Sequence, residues 1–183
     1  MSLFFDSLHF QSMKFSAFLM ALFLIAGAFT CTAQTTTATT DGLVWYTEFS
    51  KAQAAAAEAK KPIFGFFTGS DWCGWCHKLQ REVFAKEAFK TWAKDNVILF
   101  EIDFPRKKQL SPEMAQQNQG LQQAFQVQGY PTIWIFNAVT DPATQNINLN
   151  ALGSLGYPSG AETGKEEVKF LENANAVLAN GQN

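Results

Sequence analysis

Apolar and polar residues follow two distinct patterns along the chain beyond residue 42. Short continuous apolar runs are typical of strands buried on both faces, whereas apolar residues spaced three and four apart are typical of helices. Strands are predicted at 43–46, 63–68, 97–103, 132–136 and 147–152, and helices at 50–60, 73–92, 112–125 and 165–178, the second of them bent near Phe84.

Two of the predicted helices begin with residues that can bind the free N–H groups of a first turn. Ser50 followed by Gln53 has the spacing of a capping box. Ser111 followed by Pro112 combines a cap with a proline at the first helical position. The last helix should turn four apolar side chains toward the sheet: Val168, Leu171, Val177 and Leu178.

The order of these elements predicts an α/β fold. Strands and helices alternate, and a hairpin turned at Asp141 and Pro142 precedes the closing helix. Alternation of this kind indicates right-handed crossovers, parallel first strands and helices on both faces of the sheet. Loops at the carboxyl ends of such strands commonly hold the chemistry of the fold. Three tryptophans are expected in the core: Trp45, Trp92 and Trp134.

The start of the chain carries the pattern of an export signal. An apolar run over 15–29 follows Met13, is too short to span a bilayer, and leads to a cleavage position after Ala33. Residues 1–12 contain no Lys or Arg, so we expect translation to start at Met13. The predicted organisation is an extension and signal peptide over 1–33, a Thr-rich linker over 34–41 and one domain over 42–183.

Cys31 allows two interpretations. It could carry a lipid that anchors the domain to a membrane, or it could be removed together with the signal. The preceding residues 28–30 fit the lipoprotein pattern poorly, which favours removal and an exported, periplasmic protein.

Composition and charge argue against nucleic acid as a partner. The formal net charge is −2, and the one basic cluster, at residues 106–108, is expected to be a solvated loop. The chain contains no internal repeat and is expected to be a monomer.

Two cysteines follow the predicted strand at 63–68, where a helix should begin. Cys73 and Cys76 are spaced to close a small, reversible disulfide. Cys73 would lie at the helix N-terminus, whose unpaired N–H groups favour a thiolate, the form that attacks disulfides. The sequence therefore predicts thiol–disulfide exchange.

The cysteine pair allows other interpretations. Cys73, Cys76 and His77 also satisfy the C-x-x-C-H pattern for covalent haem, with Met114 as a distal ligand, but a parallel sheet leaves no room for a porphyrin. A structural zinc site needs four ligands, and a purely structural disulfide in so small a loop gains little. A non-catalytic binding module remains as a further alternative.

Three motifs resemble the thioredoxin-like superfamily, and most closely its exported bacterial disulfide reductases and isomerases. They are Trp72-Cys73-Gly74-Trp75-Cys76, Gly129-Tyr130-Pro131-Thr132 and the turn at 153–156. The resemblance implies a thioredoxin fold, in which a central mixed sheet has helices on both faces. It implies protein substrates with disulfides or thiols, a membrane thiol carrier as electron donor, and no cofactor or metal.

The resemblance also implies roles for single residues. Cys73 matches the attacking thiol, Cys76 the buried resolving thiol, and Pro131 the family's cis-proline. Gly74 and Trp75 between the cysteines match neither a strongly reducing nor a strongly oxidising pair, so the direction of electron flow stays open. The positions that shape the site or bind substrate are Trp72, Gly74, Trp75, Tyr130 and Pro131.

One position departs from the family pattern. Many members carry a buried carboxylate six residues before the first cysteine, where it exchanges a proton with the resolving thiol, and this chain has Phe67 there. Water, Asp71 or His77 would then have to handle the proton. His77 could equally be an ordinary surface histidine on the first helical turn.

Overall fold

A computed structural model describes residues 37–40 and 42–181 of the chain, with the backbone alone described over 37–40. The expectations of a signal peptide, a start at Met13 and a lipid at Cys31 concern residues outside these ranges. Across the described residues, no helix is long and apolar enough to cross a membrane.

Strands and helices alternate along the described part of the chain. They are β1 (Thr37–Thr40), β2 (Leu43–Tyr46), α1 (Phe49–Ala59), β3 (Ile63–Thr68), α2 (Gly74–Leu79), α3 (Glu87–Asn96), β4 (Ile98–Asp103), α4 (Pro112–Ala124), β5 (Thr132–Thr140), β6 (Ile147–Leu155) and α5 (Glu166–Asn180). A π-helical turn at Gln80–Phe84 lies between α2 and α3, which confirms the predicted bend. The predicted α/β class is confirmed.

The strands form one mixed sheet in the order β1-β2-β4-β3-β5-β6. β2, β4 and β3 are parallel to one another, whereas β5 is antiparallel to β3 and β6 is antiparallel to β5. Thr68 pairs with Asp103, so β3 and β4 end side by side. The loop that leads to the cysteines therefore begins at the carboxyl edge of the sheet.

Two apolar cores cover the two faces of the sheet. On β3, Phe64 and Phe66 face the core that contains α2, α3 and α5, and Ile63 and Phe67 face the core under α1 and α4. Trp45 and Trp92 are buried as predicted, and Trp134 is partly buried and stacks on Phe125 with ring centroids 5.4 Å apart.

The start of α1 differs from the prediction. The helix begins at Phe49, one residue before the proposed cap Ser50, and no side chain caps it from Glu48. The Phe49 backbone N–H instead donates to Oε1 of Gln117 at 2.7 Å. A side chain on α4, 68 residues away, thus satisfies a group that a local cap normally binds.

Residues 37–40 form an edge strand where an unstructured linker was expected. β1 pairs with β2 in antiparallel register, from Thr37 opposite Tyr46 to Thr40 opposite Leu43. The linker prediction rested on side chains too polar to pack in a core. Backbone pairing does not need apolar side chains, and threonine is β-branched and suits a strand.

The second half of the domain departs from the prediction in details. β5 continues to Thr140 and β6 to Leu155, so their hairpin is longer than expected. Ser111 does cap α4, accepting a hydrogen bond from the Met114 N–H. On α5, Val168 is 49% exposed rather than buried, whereas the predicted Leu171, Val177 and Leu178 pack against the core. Phe170 and Ala174 are the buried side chains of this helix.

Candidate active site

Cys73 and Cys76 form a disulfide at the junction of β3 and α2, with Cα atoms 5.3 Å apart. Cys73 is the N-cap of α2, and its Sγ accepts a hydrogen bond from the Cys76 backbone N–H at 3.2 Å. When the bond is reduced, the same N–H and the helix N-terminus favour negative charge on the Cys73 sulfur. Cys73 is 4% exposed and Cys76 is fully buried.

Trp72, which directly precedes Cys73, packs against the core that contains both cysteines. The Trp72 indole meets Tyr130 edge to face at 5.8 Å, and its Nε1–H donates to the carbonyl of Phe104 at 2.7 Å. The Arg106 guanidinium lies 3.7 Å from the centre of the indole ring. We call Trp72, Tyr130 and Arg106 the Trp72 wall.

A second aromatic group contains Trp75, which lies between the two cysteines in the sequence. The Trp75 ring is 57% exposed and meets Tyr157 at 5.2 Å. Lys78 Nζ lies 5.1 Å from the Trp75 ring and 4.7 Å from the Tyr157 ring. The Tyr157 hydroxyl donates to Oε2 of Glu82. We call Trp75, Tyr157 and Lys78 the Trp75 wall.

Asp71 stabilises the loop that carries Arg106 of the Trp72 wall. Its carboxylate accepts hydrogen bonds from the backbone N–H groups of Arg106 and Lys107, both at distances near 2.8–2.9 Å. These bonds hold the pKa of Asp71 below its ordinary value, and the bond from the Arg106 N–H has the largest effect. Asp71 therefore serves as an anchor for 106–107, a role that its predicted part in proton transfer did not anticipate.

Asp103 is a site residue that the sequence analysis missed. Its two carboxylate oxygens accept hydrogen bonds from the backbone N–H and the hydroxyl of Ser70, at 2.7 and 2.6 Å. Lys108 forms an ion pair with the same carboxylate at 3.0 Å. The available signal was an acidic residue at the end of a mostly apolar strand, at the sheet edge where the loop after β3 begins.

Comparison with known proteins agrees with this geometry. Residues 49–144 match the family model of the thioredoxin-like domain, which is more than half of the 183 residues. The chain belongs to the thioredoxin-like family.

Two curated relatives come from Chlamydia pneumoniae. The chain is 36% identical over 93 residues to the disulfide bond reductase DsbH and 23% identical over 133 residues to the thioredoxin-related protein DsbJ. The alignments cover 51% and 73% of this chain. They span 56% of DsbH and 36% of DsbJ, so this thioredoxin-like chain matches about half or less of either relative's length.

Solved structures show the same fold. A structure of DsbH oxidoreductase superposes with a TM-score of 0.60 at 28% identity, covering 75% of this chain and 85% of that chain. A thioredoxin from Thermus thermophilus superposes with a TM-score of 0.52, covering 76% of this chain and 89% of that chain. At 16% identity the second likeness shows the fold alone. The predicted thioredoxin fold is confirmed.

The loop at 129–132 lies beside the disulfide of this thioredoxin-like domain, because Tyr130 contacts Trp72. The Tyr130–Pro131 peptide bond is cis. The Tyr130 hydroxyl accepts a hydrogen bond from Gln122 Nε2 at 2.7 Å, which ties the loop to α4. The three quoted motifs thus meet at one place, since Tyr157 follows the turn at 153–156 and contacts Trp75.

His77 has a defined partner in the thioredoxin-like site. Its Nε2 lies 2.8 Å from the Ser70 carbonyl oxygen, and because a carbonyl accepts, this nitrogen carries the hydrogen. A haem iron would need that nitrogen as a ligand, and haem attachment would need both sulfurs, which are bonded to each other. The residues therefore do not fit the C-x-x-C-H haem alternative.

The position of Phe67 explains why a carboxylate there would not serve the disulfide. Phe67 faces α1 and α4, whereas both cysteines belong to the opposite core. Glu101 is paired with Phe66, which lies on the cysteine side of the sheet. Burial, followed by repulsion from Asp103, raises the pKa of Glu101 above its ordinary value.

Among the described residues, no group of three or more His, Cys, Asp or Glu could hold a metal.

Proposed function

We propose that the protein is a thiol–disulfide oxidoreductase that reduces or isomerises disulfides of other proteins through the Cys73–Cys76 pair. The observation that carries this proposal is the disulfide itself, formed at the N-cap of α2 with the Cys76 N–H directed at the Cys73 sulfur. That N–H is in place to stabilise a Cys73 thiolate once the bond opens.

The proposed reaction consists of two displacements. The Cys73 thiolate attacks one sulfur of a substrate disulfide, forms a mixed disulfide and expels the other substrate sulfur as a thiolate. The Cys76 sulfur, after losing its proton, attacks the Cys73 sulfur and expels the remaining substrate thiolate. Two electrons pass to the substrate, its thiolates take up two protons, and Cys73–Cys76 becomes oxidised. A dithiol donor must reduce it again.

One further observation supports the reducing or isomerising direction over oxidation. The relative that matches at 36% identity is named a disulfide bond reductase. The aromatic pairs of the Trp72 and Trp75 walls support substrate binding, because they offer an extended segment an aromatic surface next to the cysteine motif. We propose that this segment lies between the walls, with Trp72, Gly74, Trp75, Tyr130 and Pro131 in contact with it.

The proposed site of action is an exported, periplasmic compartment. The signal-like run over 13–33 supports export, and an anchor at Cys31 would keep the domain near a membrane. Protein disulfides are formed and kept in such compartments, so a reductase there needs electrons from outside. A membrane thiol carrier is the proposed donor, and no cofactor is assigned.

A trapping experiment tests the proposed roles of the two cysteines. Cys76→Ser should accumulate a mixed disulfide with a disulfide-containing protein, because the second displacement is lost, whereas the matched variant Cys73→Ser should form none. The adducts are measured by non-reducing electrophoresis and intact mass. Equal trapping by both variants, or by neither, would contradict the assignment.

The equilibrium potential against glutathione tests the direction. A reductase or isomerase should lie below about −180 mV, toward thioredoxin at about −270 mV, and an oxidant near about −120 mV. If Cys73→Ser retains full activity in an assay of substrate folding, the protein acts as a binding module and the oxidoreductase proposal fails.

A further inference from the structure

The two walls beside the disulfide carry cations in different electrostatic settings. In the Trp75 wall, Lys78 has Glu82 as an ion-pair partner at 4.0 Å, so its charge is partly compensated. In the Trp72 wall, Arg106 lies over the indole, and Lys107 follows it on the exposed surface. Neither of these two side chains forms an ion pair with any carboxylate in the described part of the chain.

The position of these two cations is fixed by their backbone. Asp71 accepts the N–H groups of both Arg106 and Lys107, and the Trp72 Nε1–H donates to the preceding Phe104 carbonyl. The loop is thus held to the residues that immediately precede Cys73. The basic residues at 106–108 are exposed, as the sequence suggested, and the backbone of their loop is in addition held in place.

The acidic groups near the loop do not bond the side chains of Arg106 and Lys107. Asp71 bonds the loop backbone and acts on Lys107 only through its charge, and Asp103 is paired with Ser70 and Lys108. The Arg106 guanidinium, stacked on the Trp72 indole beside the cysteine motif, thus carries its charge without a bonded carboxylate. Exposed positive charge of this kind attracts a partner of opposite charge and increases its rate of association.

We propose that Arg106 and Lys107 select disulfides that have Asp or Glu side chains beside the reacting cysteine. This inference rests on the proposed function and names its substrate class: protein segments in which carboxylates lie next to a cystine. The substrate carboxylate would meet Arg106 and Lys107 while the substrate backbone lies along Trp72 and Pro131. An Arg guanidinium is suited to bind a carboxylate through two parallel hydrogen bonds.

Two disulfide peptides that differ in charge alone test the proposal. One carries two Glu residues beside the reacting cysteine, and the other carries Gln at both positions. Turnover with a dithiol donor should give a kcat/KM for the Glu peptide about tenfold above that of the Gln peptide at low salt. In about 0.5 M salt the ratio should fall toward one, because exposed charges are screened.

Variants of the full chain assign the effect to the loop. Arg106→Gln with Lys107→Gln should reduce the Glu-to-Gln ratio to about one. The matched control, Lys60→Gln with Lys86→Gln, removes the same charge at exposed positions away from the disulfide and should preserve the ratio. Arg106→Lys keeps the charge and should preserve most of it. Using a ratio cancels any uniform change in rate.

The outcomes separate the two proposals. Equal turnover of both peptides by the native protein, or a ratio that the control pair lowers as much as the loop pair does, would overturn the charge selection alone. No turnover of either peptide would contradict the proposed function and this inference with it. Lys107→Gln alone provides a variant of an exposed side chain, in case the loss of Arg106 from the indole unfolds the loop.

Discussion

The Asp103 carboxylate accepts hydrogen bonds from both the backbone N–H and the hydroxyl of Ser70, which lies 33 residues earlier in the sequence. Ser70 lies three residues before Cys73, and its carbonyl oxygen accepts the hydrogen of His77 Nε2. The Asp103 backbone carbonyl accepts a further hydrogen bond from Asn118 at 2.8 Å. The end of β4 therefore fixes the loop that presents the disulfide.

Asp103→Asn should destabilise the protein by about 2–3 kcal/mol. An amide retains one acceptor, so at least one bond to Ser70 is lost along with the ion pair to Lys108, and charge-assisted bonds are among the stronger ones. Chemical denaturation measures the loss. The exposed Asp95→Asn serves as control and should change the free energy of unfolding by no more than about 0.5 kcal/mol.

Gly69→Ala should displace Trp72 from its place beside Cys73. A Cβ at Gly69 would overlap the Trp72 indole, and overpacking of this kind costs about 1–3 kcal/mol. The indole would then lose the Phe104 carbonyl, so the rate of disulfide exchange should fall along with stability. Denaturation and turnover of one sample measure both effects.

Gly120→Ala provides the contrast for that substitution. Gly120 lies inside α4, and a Cβ there would meet nothing within 4 Å. Alanine in an exposed helix should stabilise the protein by about 0.5–1 kcal/mol with unchanged turnover. A loss of stability at Gly120 equal to that at Gly69 would mean that contact with Trp72 is not the cause.

Phe84→Ala should be among the most destabilising core substitutions, at about 3–5 kcal/mol. The Phe84 ring stacks on Phe89 at 4.6 Å and meets Phe66 edge to face at 5.1 Å, so its removal leaves a cavity at the end of the π-helical turn. Val139→Ala, at a side chain that is 59% exposed, should cost far less. Comparable losses at the two sites would be inconsistent with this packing.

Glu101→Gln should make stability less dependent on pH. The pKa of Glu101 is raised in the folded protein, so the folded state holds this proton after the unfolded state has released it. Stability should then fall as pH rises from about 4.3, the ordinary glutamate value, through the raised pKa. Glutamine has no proton to lose, so the variant should gain stability over the native protein across that window.

Denaturation at several pH values between about 4 and 8 measures this difference. Glu58→Gln, at an exposed position on α1, reports the effect of removing one negative charge from a side chain that is not buried. If Glu101→Gln and Glu58→Gln change stability in parallel at every pH, burial of Glu101 has no part in the effect. Asp103 and Lys108 act on Glu101 in opposite senses, so both must stay in place.

The sequence allowed the succession of strands and helices along the chain and the cysteine pair to be predicted because their signals are local. Continuous apolar runs marked β3 and β4, and Ser111 with Pro112 marked the start of α4. The features that were not predicted depend on contacts between residues far apart in the sequence. Gln117 replaces a local cap at Phe49, and backbone pairing with β2 orders residues whose side chains gave no sign of it.

Site residues were likewise predicted where they stand in a sequence motif and missed where they come from distant loops. The cysteines and Trp72 stand in one motif, and Pro131 and Tyr130 stand in another. The partners that complete the walls come from loops whose proximity no spacing revealed: Arg106 after β4 and Tyr157 after β6. On α5, the apolar Val168 misled the prediction, because helix rotation is set by Phe170, whose larger ring is buried.

The register shift between β5 and β6 bears on how molecules of this protein meet. Ile135 pairs with Gly153 and Phe136 with Ala151, which leaves Leu152 as an extra residue in β6. Such a bulge bends the last strand of the described sheet and interrupts its regular row of outward N–H and C=O groups. A second copy would find no straight template there, which disfavours edge-to-edge pairing of two molecules along β6.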